Sequence, residues 1–162
     1  MRKKLPLALL LALPLAARAV EGKVVTKHVS DRGAVKPAQT VRIAVDKGEL
    51  AVVPGPAGTI VYSVEFVPNQ TRTFFGRAGK EPSPADYAAC SASYDAETGT
   101  LSVQTGPNIN AGVRAGVPTN QPLDVQLSAG TAELGPLTGR IEALVGTGTL
   151  GFDASALPRG AC

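Results

Sequence analysis

Three groups of side chains in this 162-residue sequence could do chemistry. The first is His28, the single histidine, with Asp31 and Arg32 close by. An imidazole acts as a catalytic base only when the fold brings it a nucleophile and an orienting group. No G-x-S-x-G turn offers that nucleophile, and Cys90 has no motif around it. His28 is therefore expected to be an exposed or half-buried strand histidine. The second group is an acidic series, Asp124, Glu133 and Glu142, spaced nine residues apart. Paired carboxylates could cleave a polysaccharide. Sugar sites, however, usually present aromatic platforms, and the chain has no Trp and only 3 Tyr and 4 Phe. The series is expected to be solvated surface charge, and the chain is expected not to be an enzyme. The third group is the candidate contact loop Arg72, Phe74, Phe75, Arg77 and Lys80. Basic groups beside aromatics could hold an anionic envelope polymer or a partner protein. The alternative is that the phenylalanines tuck onto a sheet while the charges stay wet.

Metal chemistry has little to stand on. One histidine and two cysteines without paired spacing cannot assemble a zinc set. The nine-residue spacing invites comparison with calcium-binding nonapeptides, but the Gly-Gly pairs and turn aspartates of that pattern are missing. No cofactor is expected. Cys90 and Cys162 form a candidate disulfide if the chain reaches an oxidising compartment. Closing a loop of over 70 residues could add roughly 4 kcal/mol in the chain-entropy model. The alternative is two unpaired thiols.

An oxidising compartment follows from the N-terminus. Arg2, Lys3 and Lys4 precede an apolar run over residues 5–16, and Ala17-Arg18-Ala19 has the small-x-small form of a cleavage site. The run is too short to span a bilayer as a helix, which takes about 20 apolar residues. Residues 1–19 are expected to be a signal peptide, with residues 20–162 a single all-β domain in the periplasm, in the medium or at the cell surface. No transmembrane segment is expected after cleavage. Cleavage also reverses the charge: the 16 Lys and Arg fall to 12 against 13 Asp and Glu, so a net +3 becomes −1. The basic balance belongs to the leader, and nothing remains to suggest a nucleic-acid partner.

The elements that must position these residues read as strands. Val41, Ile43 and Val45 alternate with Arg42, Ala44 and Asp46, and Ile60, Tyr62, Val64 and Phe66 alternate with Val61, Ser63, Glu65 and Val67. Lys47-Gly48 reads as a turn between two strands. Residues 87–94 read as a strand containing Cys90, forming a hairpin with Leu101 and Val103 across the polar turn 95–99. Residues 68–86 and 106–122, rich in Pro, Gly and Asn, read as long loops. After Pro122 three nine-residue blocks align without gaps, each closed by a glycine: Gly130, Gly139 and Gly148. Short strands with glycine turns at fixed spacing predict solenoid-like (β-helix) coils, two strands per coil, following a β-rich N-terminal half. A β-sandwich is the alternative.

The repeat region over residues 122–152 resembles the bacterial putative-adhesin family in its apolar-x-apolar alternation, its Leu137-Thr138-Gly139 step and its closures at Gly146 and Gly148. That resemblance implies an exported, β-solenoid-like domain of the cell envelope. It brings no catalytic or binding residues with it. The expected function is a non-catalytic structural or binding module, adhesin-like. The alternative is a carbohydrate-active enzyme on a β-solenoid scaffold. An unfinished last block would leave an open end prone to self-association through edge strands.

Overall fold

A computed structural model describes residues 27–69, 71–73, 76–78 and 81–153. The predicted signal peptide, Phe74, Phe75, Lys80 and Cys162 lie outside the described residues. The elements in chain order are β1 (Lys27–Ala34), β2 (Val41–Gly55), β3 (Thr59–Pro68), β4 (Thr71–Thr73), β5 (Gly76–Ala78), α1 (Pro84–Ala88), β6 (Ser91–Asp95), β7 (Thr100–Gln104), β8 (Ile109–Pro118), β9 (Leu123–Leu134) and β10 (Ile141–Phe152).

Period-2 alternation builds the body. In β3, Ile60, Tyr62, Val64 and Phe66 point inward and are buried, while Val61 and Glu65 face out. The main sheet has eight strands. Six run in the order β1-β3-β8-β2-β7-β6, and β9 and β10 continue from the other side of β2. Pairing is mixed: β1–β3, β3–β8 and β6–β7 are antiparallel, while β2 is parallel to β7, β8 and β9, and β9 to β10.

The six-strand path nearly closes into a barrel, because β1 and β6 meet through side chains. Lys27 Nζ donates to the Cys90 carbonyl at 2.6 Å, and Tyr94 Oη donates to the Ala34 carbonyl at 3.1 Å. Gly33 leaves the room in which the Tyr94 ring lies. Burial holds the Tyr94 phenol above its ordinary pKa, with the Asp95 charge a smaller cause.

Gly48 is not a turn between two strands but a corner inside one. Residues 42–45 of β2 pair with β7, and residues 48–55 pair with β8. At the corner the buried side switches from odd positions (Val41, Ile43, Val45) to even ones (Leu50, Val52). One extra residue in a strand does this, as a bulge does. β9 and β10 repeat the corner in register, Gly48 beside Gly130 beside Gly148, with φ of 138°, 133° and 139°. The apolar columns therefore stack, Val41 with Leu123 and Ile141, and Val45 with Leu127 and Val145.

This arrangement overturns the predicted solenoid. The parallel, cornered run is three strands deep, and its first member, β2, lies upstream at the centre of a mixed sheet whose β1–β3, β3–β8 and β6–β7 pairs are antiparallel. The reason is a third copy of the pattern: Val41-x-Ile43-x-Val45 with Gly48 and Leu50-x-Val52 offers β9 a surface as good as another repeat. The β-sandwich alternative is replaced too, since all eight strands belong to one hydrogen-bonded sheet.

Three local expectations are corrected. Residues 106–122 contain β8, a central strand whose buried Ile109, Ala111, Val113, Ala115 and Val117 alternate with Asn110, Gly112, Arg114 and Gly116 outside. The short side chains weakened its hydrophobic signal. Residues 68–86 contain the β4–β5 hairpin and the start of α1. Cys90 precedes a strand rather than lying within one, because Ser83 and Asp86 form a capping box and, with Pro84 in the first turn, start the helix Pro84–Ala88 just before it. The Cys90 thiol is buried, donating to the Asp86 carbonyl at 3.3 Å and accepting from Gly106 N–H at 3.1 Å.

The β6–β7 turn carries a pH signature. The Asp95 carboxylate accepts from Glu97 N–H and from Thr98 Oγ1, both at 2.9 Å, and the Glu97 bond is the larger cause of its lowered pKa. A depressed folded pKa gives a contribution present above the unfolded value and lost as pH falls through the folded one. NMR titration should place the Asp95 midpoint below its ordinary 3.8, and Thr98→Ala should raise it.

Candidate functional site

The outward face of β1, β3, β8, β2 and β9 is built from the positions the core does not use. Strand register lays these positions out in rungs. One rung runs His28, Glu65, Gly112, Glu49, Thr131. The next runs Ser30, Ser63, Arg114, Ala51, Glu133. A third runs Arg32, Val61, Gly116, Val53. Because Gly112 and Gly116 carry no side chain, the floor is low along β8.

Two of the cavities on this face adjoin. One of about 470 Å³ lies over the first two rungs and is lined by His28, Glu49, Glu65, Arg114 and Glu133, among others. The other, about 650 Å³, lies over the second and third rungs, where Val61, Val53, Pro54 and Pro56 make it more apolar. Ser63 and Arg114 line both, so the two form one trough across the sheet.

Three carboxylates and one guanidinium give the polar end its character. Glu49 and Glu65 flank Gly112 on its two neighbouring strands, so their Cα atoms lie about 10 Å apart. Arg114 sits one rung further along β8 and makes no ion pair among the described residues. Its five donors and the surrounding carboxylate oxygens suit a hydroxyl- or amide-rich ligand. On the opposite, inward side of β3, burial and then the Asp31 charge hold the Tyr62 phenol above its ordinary pKa.

His28 does meet serines. Its Nε2 lies 2.9 Å from Ser63 Oγ and 3.3 Å from Ser30 Oγ. A base beside a hydroxyl is half of a nucleophilic device. The rest is lacking among the described residues: no carboxylate bonds the imidazole, and Ser63 sits mid-strand between β1 and β8, where backbone N–H groups serve the ladders rather than an oxyanion. No three His, Cys, Asp or Glu among the described residues gather to hold a metal.

The acidic series splits. Glu133 enters the trough. Asp124 and Glu142 are neighbours on the other arm of the corner, in the row Arg42, Asp124, Glu142. Arg42 Nε lies 3.6 Å from Asp124, and Arg140 pairs with Glu142. The two carboxylates are adjacent in the row, and each has an arginine at its other side. In the contact loop, Arg72 and Arg77 are register partners in the β4–β5 hairpin. Sequence reasoning singled out His28 and Glu133 but passed over Ser63, Arg114, Glu49 and Glu65. Ser63 and Glu65 stand at polar positions of a strand whose alternation marked them as outward, whereas Arg114 fell in a stretch read as a loop and Glu49 beside an expected turn.

No family model matches the chain, and no curated protein matches it by sequence. Among solved structures it is similar to a "putative cell adhesion protein" from Clostridium sporogenes, with 14% identity, a TM-score of 0.45, and coverage of 82% of this chain and 64% of that one. The chain thus spans just under two thirds of the length of that protein. Among the described residues no helix is long and apolar enough to cross a membrane.

Proposed function

We propose that this chain is an exported, non-catalytic module of the bacterial cell envelope that works by contact, in an adhesin-like way, and that the trough is its contact face. The observation that carries this reading is the continuity of the two cavities through Ser63 and Arg114. A trough crossing several strands, polar at one end and apolar at the other, suits an extended polymer better than a small substrate, which is usually enclosed. Arg114 is the anchor, since it is central and has no ion pair to give up among the described residues.

The protein recovered from the periplasm or medium should begin at Val20. It should bind solubilised cell-wall polysaccharide or peptidoglycan fragments in calorimetry, and Arg114→Ala should weaken binding at least about tenfold without changing stability. Binding equal to wild type in Arg114→Ala would move the contact face elsewhere. The enzyme reading has one observation in its favour, the His28–Ser63 hydrogen bond. Turnover of an ester or polysaccharide that disappears in Ser63→Ala or Glu133→Gln would replace the binding reading.

A further inference from the structure

The core is unfinished at β10. Column positions buried in β2 and β9 are only half-buried where β10 ends the stack: Ile141, Ala143, Val145 and Leu150. Phe152, which continues the column of Val52 and Leu134, is 58% exposed, and outward-facing Leu144 is 68% exposed. Among the described residues β10 pairs with β9 alone, so its far edge is open along 12 residues. Natural edge strands are usually blunted by lysine, proline or shortness. Here the single charge is Glu142, and there is no proline.

We infer that this edge is the interface of a two-fold dimer, in which β10 pairs antiparallel with β10 of a second copy. Shape selects the occupant. A strand covering β10 must turn the same corner at mid-length and switch its buried side there. In this chain β2, β9 and β10 do so, and both edges of β2 and of β9 are taken.

The corner also makes β10 self-complementary. Its inward residues are odd before Gly148 and even after it. A two-fold axis between Thr147 and Gly148 then sets Val145 against Leu150 of the second copy, and Ala143 against Phe152. In these pairs inward residues meet inward ones, so the two cores join across the seam, while Ile141 lies beyond the last of them. Outside, Leu144 lies over Gly151 of the second copy. A two-fold axis along the strands would pair them parallel but place the cores on opposite faces, so a closed isologous dimer must be antiparallel.

The size fits as well. Twelve residues make an edge about 40 Å long, and with side chains on both faces it covers roughly 600–800 Å² per copy, near the standard for a stable interface. The unfavourable pair is Glu142 against Asp153 of the second copy, at the rim, where Arg140 already pairs with Glu142.

This dimer uses a different surface from the trough and does not depend on it. Light scattering after chromatography of the exported chain, over a concentration series in reductant, should give a dimer. Leu144→Lys combined with Phe152→Lys, both exposed in one copy, should keep the unfolding temperature measured at low concentration and raise the dimer Kd at least about 30-fold. In a Cys162→Ser background, Leu144→Cys with Gly151→Cys should oxidise to a covalent dimer, and neither alone should. A wild-type monomer up to about 100 μM would overturn the inference, as would a dimer untouched by the lysine variant or one without the cross-link.

Discussion

Gly130→Ala should destabilise the chain by about 3–5 kcal/mol, seen as a large drop in the urea midpoint with little change in m. Two effects combine. The corner holds Gly130 at φ +133°, where an L side chain is strained by roughly 1–3 kcal/mol. A Cβ there would also lie 1.8 Å from the Gly48 carbonyl oxygen, far inside contact distance. That oxygen belongs to the neighbouring strand of the stack, so relief requires parting β9 from β2 at the corner and loosening the ladder on both arms. Gly58→Ala is the matched control. Its φ is +68°, but nothing lies within 4 Å of the added Cβ, so about 1 kcal/mol is expected from strain alone. Equal losses in the two variants would mean that the three glycines do not stack. Thr131 and Glu133 follow the corner into the trough, so Gly130→Ala should also weaken any ligand that Glu133 contacts.

Phe66→Ala should cost about 3–5 kcal/mol, the usual price of emptying a phenylalanine site in a packed core. Phe66 is fully buried toward the C-terminal end of β3, between Lys27 of β1 and Ala111 of β8. Its neighbours in register include an alanine, so little nearby volume can collapse into the gap. The loss reaches beyond volume. The Lys27 ammonium lies 5.9 Å from the Phe66 ring centroid while its Nζ bonds the Cys90 carbonyl across the seam between β1 and β6. Phe66→Leu keeps most of the volume and should cost about 1–1.5 kcal/mol. Hydrogen exchange in Phe66→Ala should speed up first in β1 and β6, the two strands that close the barrel. A loss under 1 kcal/mol would show that Phe66 is not at the centre of the core.

Alternation of side chains was enough to place residues 41–45, 60–66 and 101–103 in strands, because apolar residues at period 2 face one side whatever the partners are. It faltered at β8, where Ala111, Ala115, Gly112 and Gly116 give weak contrast between the two faces. It also faltered at Gly48, where one residue too many was taken for a turn. The nine-residue spacing after Pro122 was real: it is half of the 18-residue offset that sets Leu123 beside Ile141. The matching pattern in β2 went unnoticed because it lies some 80 residues upstream. Periodic spacing reveals neighbours in sequence, and β2 is a neighbour only in space.

The candidate site divides the same way. That Ser63, Glu65 and Glu133 face outward follows from chain-local alternation, and the expectation of an N-terminal export signal likewise needs no fold. That these residues share one trough, and that His28 reaches Ser63, required the strand order, which is set by contacts between residues far apart in the chain. Alternation tells each side chain which side of its own strand it is on. Only the burial of the shared core, with the loop closures and the hydrogen-bonded register that go with it, decides which strands lie side by side and so which outward residues meet.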